Sequence, residues 1–120
     1  MSIIKIILVD DHHIVRDGIK SLLTGAANIE VIGEASDGYE LFNLLKKMQP
    51  NIVILDLSLP RLSGIEIIKT LTHEYDDIKV LVLSMYTSED FIFNSIKSGA
   101  KGYLPKNTTR KELLEAIYKL

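Results

Sequence analysis

Acidic, hydroxyl and ammonium side chains lie at or directly after the ends of four apolar segments of this chain. Asp10 and Asp11 follow the first segment, Asp56 another, Ser84 a third and Lys106 the last. If these segments are parallel strands of one sheet, their carboxyl ends meet at one edge and bring the side chains into a single cleft. Carboxylates that close together cannot all stay ionised at low cost without a cation. The pattern therefore predicts a cation-binding cleft.

The residue types in this cleft favour magnesium and phosphoryl transfer. A few carboxylate ligands plus water suit Mg²⁺ better than an all-protein calcium cage. Lys106 could pair with an anion held by that metal, and Ser84 could donate a hydrogen bond to the same anion. The chain has no Cys and Ser84 has no evident base partner, so the nucleophile would be an acidic side chain. Asp56, the single acidic residue after a central strand, is the best candidate.

Hydrophobic periodicity predicts the elements that position these residues. Apolar runs rich in Ile and Val indicate strands buried on both faces, and a more alternating run and a short final run indicate edge strands. Segments with helical spacing separate them, which predicts parallel strands joined by right-handed crossovers. We expect an α/β fold with a doubly wound five-stranded parallel sheet of order 2-1-3-4-5 and five flanking helices. The predicted strands are 3–9, 29–35, 51–55, 79–83 and 101–104.

Helix boundaries carry their own signals. Ser63 and Thr109 are each followed three residues later by Glu, as in a capping box, and Asp37 with Glu40 resembles one. Pro50 is expected to end the second helix before the next strand.

Composition excludes several classes of protein. The 120 residues suffice for about one domain, and 47% hydrophobic residues predict a folded core. The absence of Cys excludes disulfide scaffolds, thiolate zinc sites and thiol nucleophiles. A net charge of −2 argues against binding of the DNA phosphate backbone by this chain alone. The apolar start is too short for a membrane span and has no basic leader, which predicts a cytoplasmic protein that does not bind membranes.

Motifs in a fixed order then identify a family resemblance. They are Leu8-Val9-Asp10-Asp11-His12, Leu55-Asp56-Leu57-Ser58-Leu59-Pro60-x-x-x-Gly64, Leu83-Ser84-Met85 and Gly99-Ala100-x-Gly102-Tyr103-Leu104-x-Lys106. Each motif is weak alone, but together they resemble the receiver domain of bacterial two-component response regulators over essentially residues 1–120. The start of the first helix and the residues around Ser84 and Tyr103 look most like the NarL/FixJ subgroup. The implied fold is the flavodoxin-like receiver fold.

The resemblance implies a role for each matching position. Asp56 would accept phosphate from a cognate sensor histidine kinase or a small phosphodonor. Asp11 and Asp56 would coordinate Mg²⁺ through carboxylates, Ser58 through its backbone carbonyl and Asp10 through a water molecule. Two further residues would bind the phosphoryl group, Ser84 by a hydrogen bond and Lys106 by an ion pair. The aromatic ring of Tyr103 would turn inward as Ser84 moves, and so act as the conformational switch with it.

The resemblance also implies a signalling role in place of an enzyme with turnover, with homodimerisation on phosphorylation. Such regulators usually bind DNA through a C-terminal helix-turn-helix domain, which these residues do not include, so transcription control is expected of a longer protein. A stand-alone receiver that docks a protein partner is the alternative. A small haloacid-dehalogenase-type phosphatase is less favoured, since Asp56-Leu57-Ser58 lacks its second carboxylate. A flavodoxin-like electron carrier would need a Ser/Thr/Gly-rich loop where this chain has Asp10-Asp11-His12-His13.

Simpler interpretations compete for single residues. An isolated Asp10-Asp11 pair would more often be a helix cap, and a lone Tyr103 would more often be strand packing. His12 and His13 are interpreted as polar residues at a helix start near the site and not as metal ligands, since neighbouring residues of a helix point in different directions.

Overall fold

Five strands alternate with five helices in the computed structural model, which describes residues 2–57, 63–85 and 88–120. The elements are β1 (Ile4–Val9), α1 (His13–Leu23), β2 (Ile29–Ala35), α2 (Gly38–Leu45), β3 (Ile52–Leu55), α3 (Gly64–Glu74), β4 (Lys79–Ser84), α4 (Glu89–Ser98), β5 (Gly102–Pro105) and α5 (Arg110–Lys119). Each strand begins and ends within one residue of its predicted bounds.

The strands form one parallel sheet in the order β2-β1-β3-β4-β5, as the sequence predicts. The Ile- and Val-rich strands β1, β3 and β4 lie in the middle and are largely buried, because helices cover both faces of the sheet. The edge strands β2 and β5 are mostly half-buried, in keeping with their weaker hydrophobic pattern.

Alternation along each central strand divides the core between the two faces of the sheet. In β1, Ile6 and Leu8 pack in one cluster with residues of α1 and α5, and Ile7 and Val9 pack in the other with residues of α2 and α3. Every helix in the described ranges is too short or too polar to cross a membrane.

The helix caps follow the sequence in part. Thr109 and Glu112 form the complete capping box at α5, and the Ser63 hydroxyl accepts a hydrogen bond from the Glu66 backbone N–H at α3. At α2, Asp37 accepts from the Glu40 backbone N–H, but the Glu40 carboxylate turns back to the N–H and hydroxyl of Ser36. The predicted capping box at α2 is therefore only half formed, because the Glu40 carboxylate bonds Ser36 where a complete box would have it bond the N–H of Asp37.

Candidate functional site

Backbone hydrogen bonds hold the predicted site residues at the carboxyl edge of the sheet. The Asp10 N–H donates to the Ala35 carbonyl at 3.0 Å, and the Asp56 N–H donates to the Val9 carbonyl at 3.0 Å. The Lys106 N–H donates to the Ser84 carbonyl, also at 3.0 Å. Each of these residues comes directly after its strand and continues the ladder to a neighbouring strand. These bonds tie the backbone of each site residue to the end of the sheet.

Lys106 joins two buried carboxylates. Its Nζ lies 3.0 Å from Asp10 Oδ2 and 3.1 Å from Asp56 Oδ2. Asp10 and Asp56 are only 3% and 4% exposed, so water screens these charges little. Burial alone lowers the pKa of Lys106, but its hydrogen bonds to Asp10 and Asp56 and their charges outweigh burial and raise that pKa above 10.5. The ammonium group is thus held in its charged form between the two acids.

Asp11 and His12 complete a compact group of possible ligands with Asp10 and Asp56. One ligand atom from each of these four residues lies within 4.8 Å of the others. His12 Nδ1 is 3.0 Å from Asp11 Oδ1 and 3.3 Å from Asp10 Oδ1. His13 Nε2 instead lies 3.1 Å from Asp17 Oδ2, so the two adjacent histidines point to different partners, as predicted.

Arg16 supports the end of β1 from α1. Its guanidinium donates to the Asp10 carbonyl and, through Nε, to Glu34 Oε1 at 3.0 Å. Lys20 donates to Glu34 Oε2 at 2.7 Å, and chiefly this bond, with the one from Arg16, lowers the pKa of Glu34 against the opposing effect of burial. No role for Arg16 was predicted from the sequence. The indication of this contact in the sequence is that Arg16 and Lys20 lie one helical turn apart in α1 and that Glu34 lies in β2.

Ser84 and Lys106 line the same cavity. This opening of about 400 Å³ is bordered by Ser84, Met85, Pro105, Lys106 and Asn107. Ser84 is fully buried at the end of β4, and Met85 is 79% exposed at the rim. The two residues that are predicted to bind the phosphoryl group therefore border one cavity.

Tyr103 lies in β5 opposite Val82 of β4. Its ring is half-buried and packs against the core cluster on the α2 and α3 face of the sheet. The observed packing agrees with the simpler interpretation of Tyr103 and leaves its switch role a prediction. Ser58, whose carbonyl is a predicted metal ligand, lies outside the described residues.

Gly64 allows α3 to begin directly against the loop that follows Asp56. Its N–H donates to the Leu57 carbonyl at 3.2 Å. A Cβ at this position would lie 2.6 Å from Leu57 Cα and 2.8 Å from the Leu57 oxygen, both backbone atoms that cannot move aside cheaply. The glycine of the Pro60-x-x-x-Gly64 motif is thus required by close packing beside Asp56.

We expect Gly64→Ala to lower the free energy of unfolding by about 1–3 kcal/mol, the usual cost of overpacking. Urea unfolding followed by far-ultraviolet circular dichroism measures the change. Gly18→Ala is the matched control, because Gly18 is exposed within α1 and a Cβ there meets nothing within 4 Å. That control should gain about 0.5–1 kcal/mol from helix propensity. Equal stability of the two variants would contradict the packing argument.

Comparison with known proteins adds evidence independent of this geometry. The family model for the response regulator receiver domain matches residues 6–118. Among curated proteins, the transcriptional regulatory protein DegU of Brevibacillus brevis is 35% identical over 114 residues, covering 95% of this chain and 48% of that protein. The chain thus spans about half the length of this curated relative.

Solved structures show the same architecture. The signal receiver domain of the putative response regulator NarL from Mycobacterium tuberculosis superposes with a TM-score of 0.91 at 27% identity, covering 99% of this chain and 96% of that one. The isolated REC domain of RcsB from Salmonella enterica serovar Typhimurium, in the presence of the phosphomimetic BeF3-, superposes with a TM-score of 0.90 at 28% identity, covering 98% of this chain and 87% of that one.

Proposed function

Because the chain belongs to the response regulator receiver domain family, with relatives of the NarL and DegU type, we propose that Asp56 accepts a phosphoryl group from a sensor histidine kinase. The observation that carries this proposal is the pairing of the buried Asp56 carboxylate with the Lys106 ammonium at 3.1 Å. An ammonium fixed beside the acceptor carboxylate can neutralise charge on an incoming phosphoryl group without rearranging the sheet.

The donor set fits a hard divalent cation. Three carboxylates from Asp10, Asp11 and Asp56 come within 4.8 Å of one another, and the Lys106 ammonium already pairs with two of them as a cation would. We propose that Asp11 and Asp56 hold Mg²⁺ by their carboxylates, with the Ser58 carbonyl, and that Asp10 acts through a water molecule. When bound, Mg²⁺ would supply charge neutralisation at the phosphoryl oxygens.

In the proposed transfer, a carboxylate oxygen of Asp56 attacks phosphorus. An O–P bond forms and the N–P bond to the kinase histidine breaks, with the bonding pair staying on nitrogen. The product is an acyl phosphate, and the imidazole, which carries a proton from solvent on its other ring nitrogen, leaves as the neutral base. Lys106 would then exchange part of its contact with Asp56 for a phosphoryl oxygen. Ser84, which borders the same cavity, would donate its hydroxyl to another oxygen. The protein supplies position and charge in this scheme, with self-phosphorylation and self-dephosphorylation at Asp56 as its only chemistry.

The conformational response is proposed to run from Ser84 to Tyr103. The two residues lie on the adjacent strands β4 and β5, and the Tyr103 ring is half-buried. A phosphoryl group that contacts Ser84 and Lys106 in one of two states would shift the population toward that state.

The output is proposed to be transcription control in the cytoplasm. The curated relative is named a transcriptional regulatory protein, and this chain covers 48% of it. We propose that phosphorylation promotes homodimerisation and that DNA is bound by a separate domain of the whole protein. A receiver that acts by docking a protein partner is the alternative, and phosphorylation-dependent DNA binding by the full-length protein would distinguish the two.

We expect acetyl phosphate with Mg²⁺ to add the mass of one phosphoryl group to the protein, measured by intact-protein mass spectrometry. EDTA should prevent the addition. Asp11→Asn should slow it by about 10–100-fold, since it removes one of the proposed metal carboxylates. Asp77→Asn is the matched control, because Asp77 is exposed before β4, at the opposite edge of the sheet. An unmodified wild-type protein, or an equal rate in EDTA, would contradict the proposed function.

A further inference from the structure

The imidazole of His12 borders the proposed cation site and has no part in the function proposed above. Its Nδ1 lies 3.0 Å from Asp11 Oδ1 and 3.3 Å from Asp10 Oδ1. It also belongs to the group of four ligand atoms that lie within 4.8 Å of one another. A neutral imidazole nitrogen beside carboxylate oxygens is the mixed donor set that divalent transition metals accept.

The backbone of His12 holds the residue beside the acids. His12 is the N-cap residue of α1 with an extended conformation, φ −104° and ψ 111°, and its N–H donates to Asp10 Oδ1 at 2.8 Å. This bond ties the residue to the carboxylate that its ring also contacts. His13 is the first residue of α1 and its ring lies against Asp17 instead. Only one of the two adjacent histidines therefore borders the site.

The spacing of the donor atoms is compatible with shared coordination. Adjacent ligand atoms of an octahedral divalent ion are about 3.0 Å apart when each lies about 2.1 Å from the metal. The 3.0 Å separation from His12 Nδ1 to Asp11 Oδ1, the proposed ligand, equals this value. It is also a hydrogen-bond distance, so Nδ1–H donates to the carboxylate until a cation takes the place of this proton. The exposed fractions of the Asp11 and His12 side chains, 32% and 65%, leave both open to an ion that enters from solution.

We propose that His12 Nδ1 is a ligand to the cation held by Asp11 and Asp56, and that it shifts the selectivity of this site from Mg²⁺ toward transition-metal dications such as Mn²⁺ and Co²⁺. The inference rests on the proposed function, because it takes these carboxylates to hold a cation. In the ligated form the ring proton is on Nε2 and the lone pair of Nδ1 faces the metal. Mg²⁺ prefers oxygen and gains little from the ring, whereas Co²⁺ gains a favourable nitrogen ligand.

Pulsed electron paramagnetic resonance of the Mn²⁺-loaded protein tests the ligand directly. Electron spin echo modulation from a coordinated ¹⁴N nucleus should appear in the wild type and in His13→Gln, and should disappear in His12→Gln. His13 is the matched control because it is the adjacent histidine, also exposed, with a different partner. Absence of nitrogen modulation in the wild type, or its persistence in His12→Gln, would overturn the proposal.

Isothermal titration with Co²⁺ and Mg²⁺ tests the selectivity. His12→Gln should weaken Co²⁺ binding by at least about 10-fold, the scale of losses when a metal-site partner is removed, and should leave Mg²⁺ binding within about 2-fold. Equal losses for both ions would overturn the selectivity claim. Asp11→Asn distinguishes failure of this proposal from failure of the proposed function. If this variant binds metal as tightly as the wild type, the proposed function itself is contradicted. Binding that depends on Asp11 but not on His12 contradicts only the role of the imidazole.

Discussion

Asp56→Asn is expected to abolish phosphorylation by acetyl phosphate, with a loss of at least about 100-fold in the rate measured by intact-protein mass spectrometry. Asparagine has almost the same shape as aspartate, but its neutral amide oxygen is a poor nucleophile and cannot form the acyl phosphate. The control is again Asp77→Asn, the same chemical change at the other edge of the sheet, which should react like the wild type. Equal rates for wild type and Asp56→Asn would place the acceptor elsewhere.

The fold of Asp56→Asn should survive, so that the loss of phosphorylation reports chemistry. Two nearly buried carboxylates share the Lys106 ammonium, and after the substitution Asp10 still pairs with Lys106 at its remaining contact. Removing one of two like charges relieves repulsion and leaves no buried ion alone. We therefore expect the melting temperature to equal or exceed that of the wild type. A variant that loses both phosphorylation and its thermal transition would not support the assignment of Asp56.

The sheet was predictable because its central strands carry a strong signal. A strand buried on both faces needs apolar residues at successive positions, and β1, β3 and β4 have them. The site then followed from topology, since parallel strands end at the same edge. Asp10, Asp56 and Lys106 meet there because each residue directly follows its strand. The backbone N–H of each donates a hydrogen bond to the neighbouring strand in the sheet.

Contacts that depend on side-chain reach were not predictable in the same way. The direct contacts of the Lys106 ammonium with Asp10 and Asp56 were not predicted, and its pairing with an anion held by a metal stays a prediction. The closeness of His12 to Asp11 depends on the extended backbone at the helix cap, which residue spacing does not specify. The sequence interpretation of both histidines as non-ligating residues relied on the directions of neighbouring residues in a helix. His12 lies at the N-cap, outside α1, so that argument does not apply to it, and the ligand role proposed above replaces that interpretation for His12.

The end of α2 shows a limit of boundary signals. Pro50 was expected to end this helix, but α2 ends at Leu45. The Lys46 N–H donates to the Asn43 carbonyl at 3.3 Å and the Lys47 N–H to the Leu44 carbonyl at 2.9 Å. These tighter bonds, three residues apart, close the helix with a turn before the proline is reached. A proline fixes how far a helix can continue and does not fix where it ends.

Lys106→Met is expected to have the largest effect on stability. The variant leaves the two almost fully buried carboxylates of Asp10 and Asp56 without the ammonium that now lies about 3 Å from both. Removing one partner of a buried ion pair costs about 3–5 kcal/mol, and we expect about 2–4 kcal/mol here at pH 7 because the Lys106 side chain is 16% exposed. Urea unfolding measures the loss. Lys101→Met, at an exposed lysine just before β5, should change stability by less than about 0.5 kcal/mol.

The pH dependence of this loss tests its electrostatic origin. The pKa of Lys106 in the folded protein is raised above 10.5: burial opposes the rise, but the contacts with Asp10 and Asp56 outweigh it. A group whose pKa is higher in the folded state stabilises the fold fully below its unfolded pKa and loses that contribution as the pH rises through the folded value. The stability difference between wild type and Lys106→Met should therefore stay constant from pH 7 to about 10 and shrink at higher pH. A difference that does not change up to pH 12 would instead indicate lost packing of the lysine side chain.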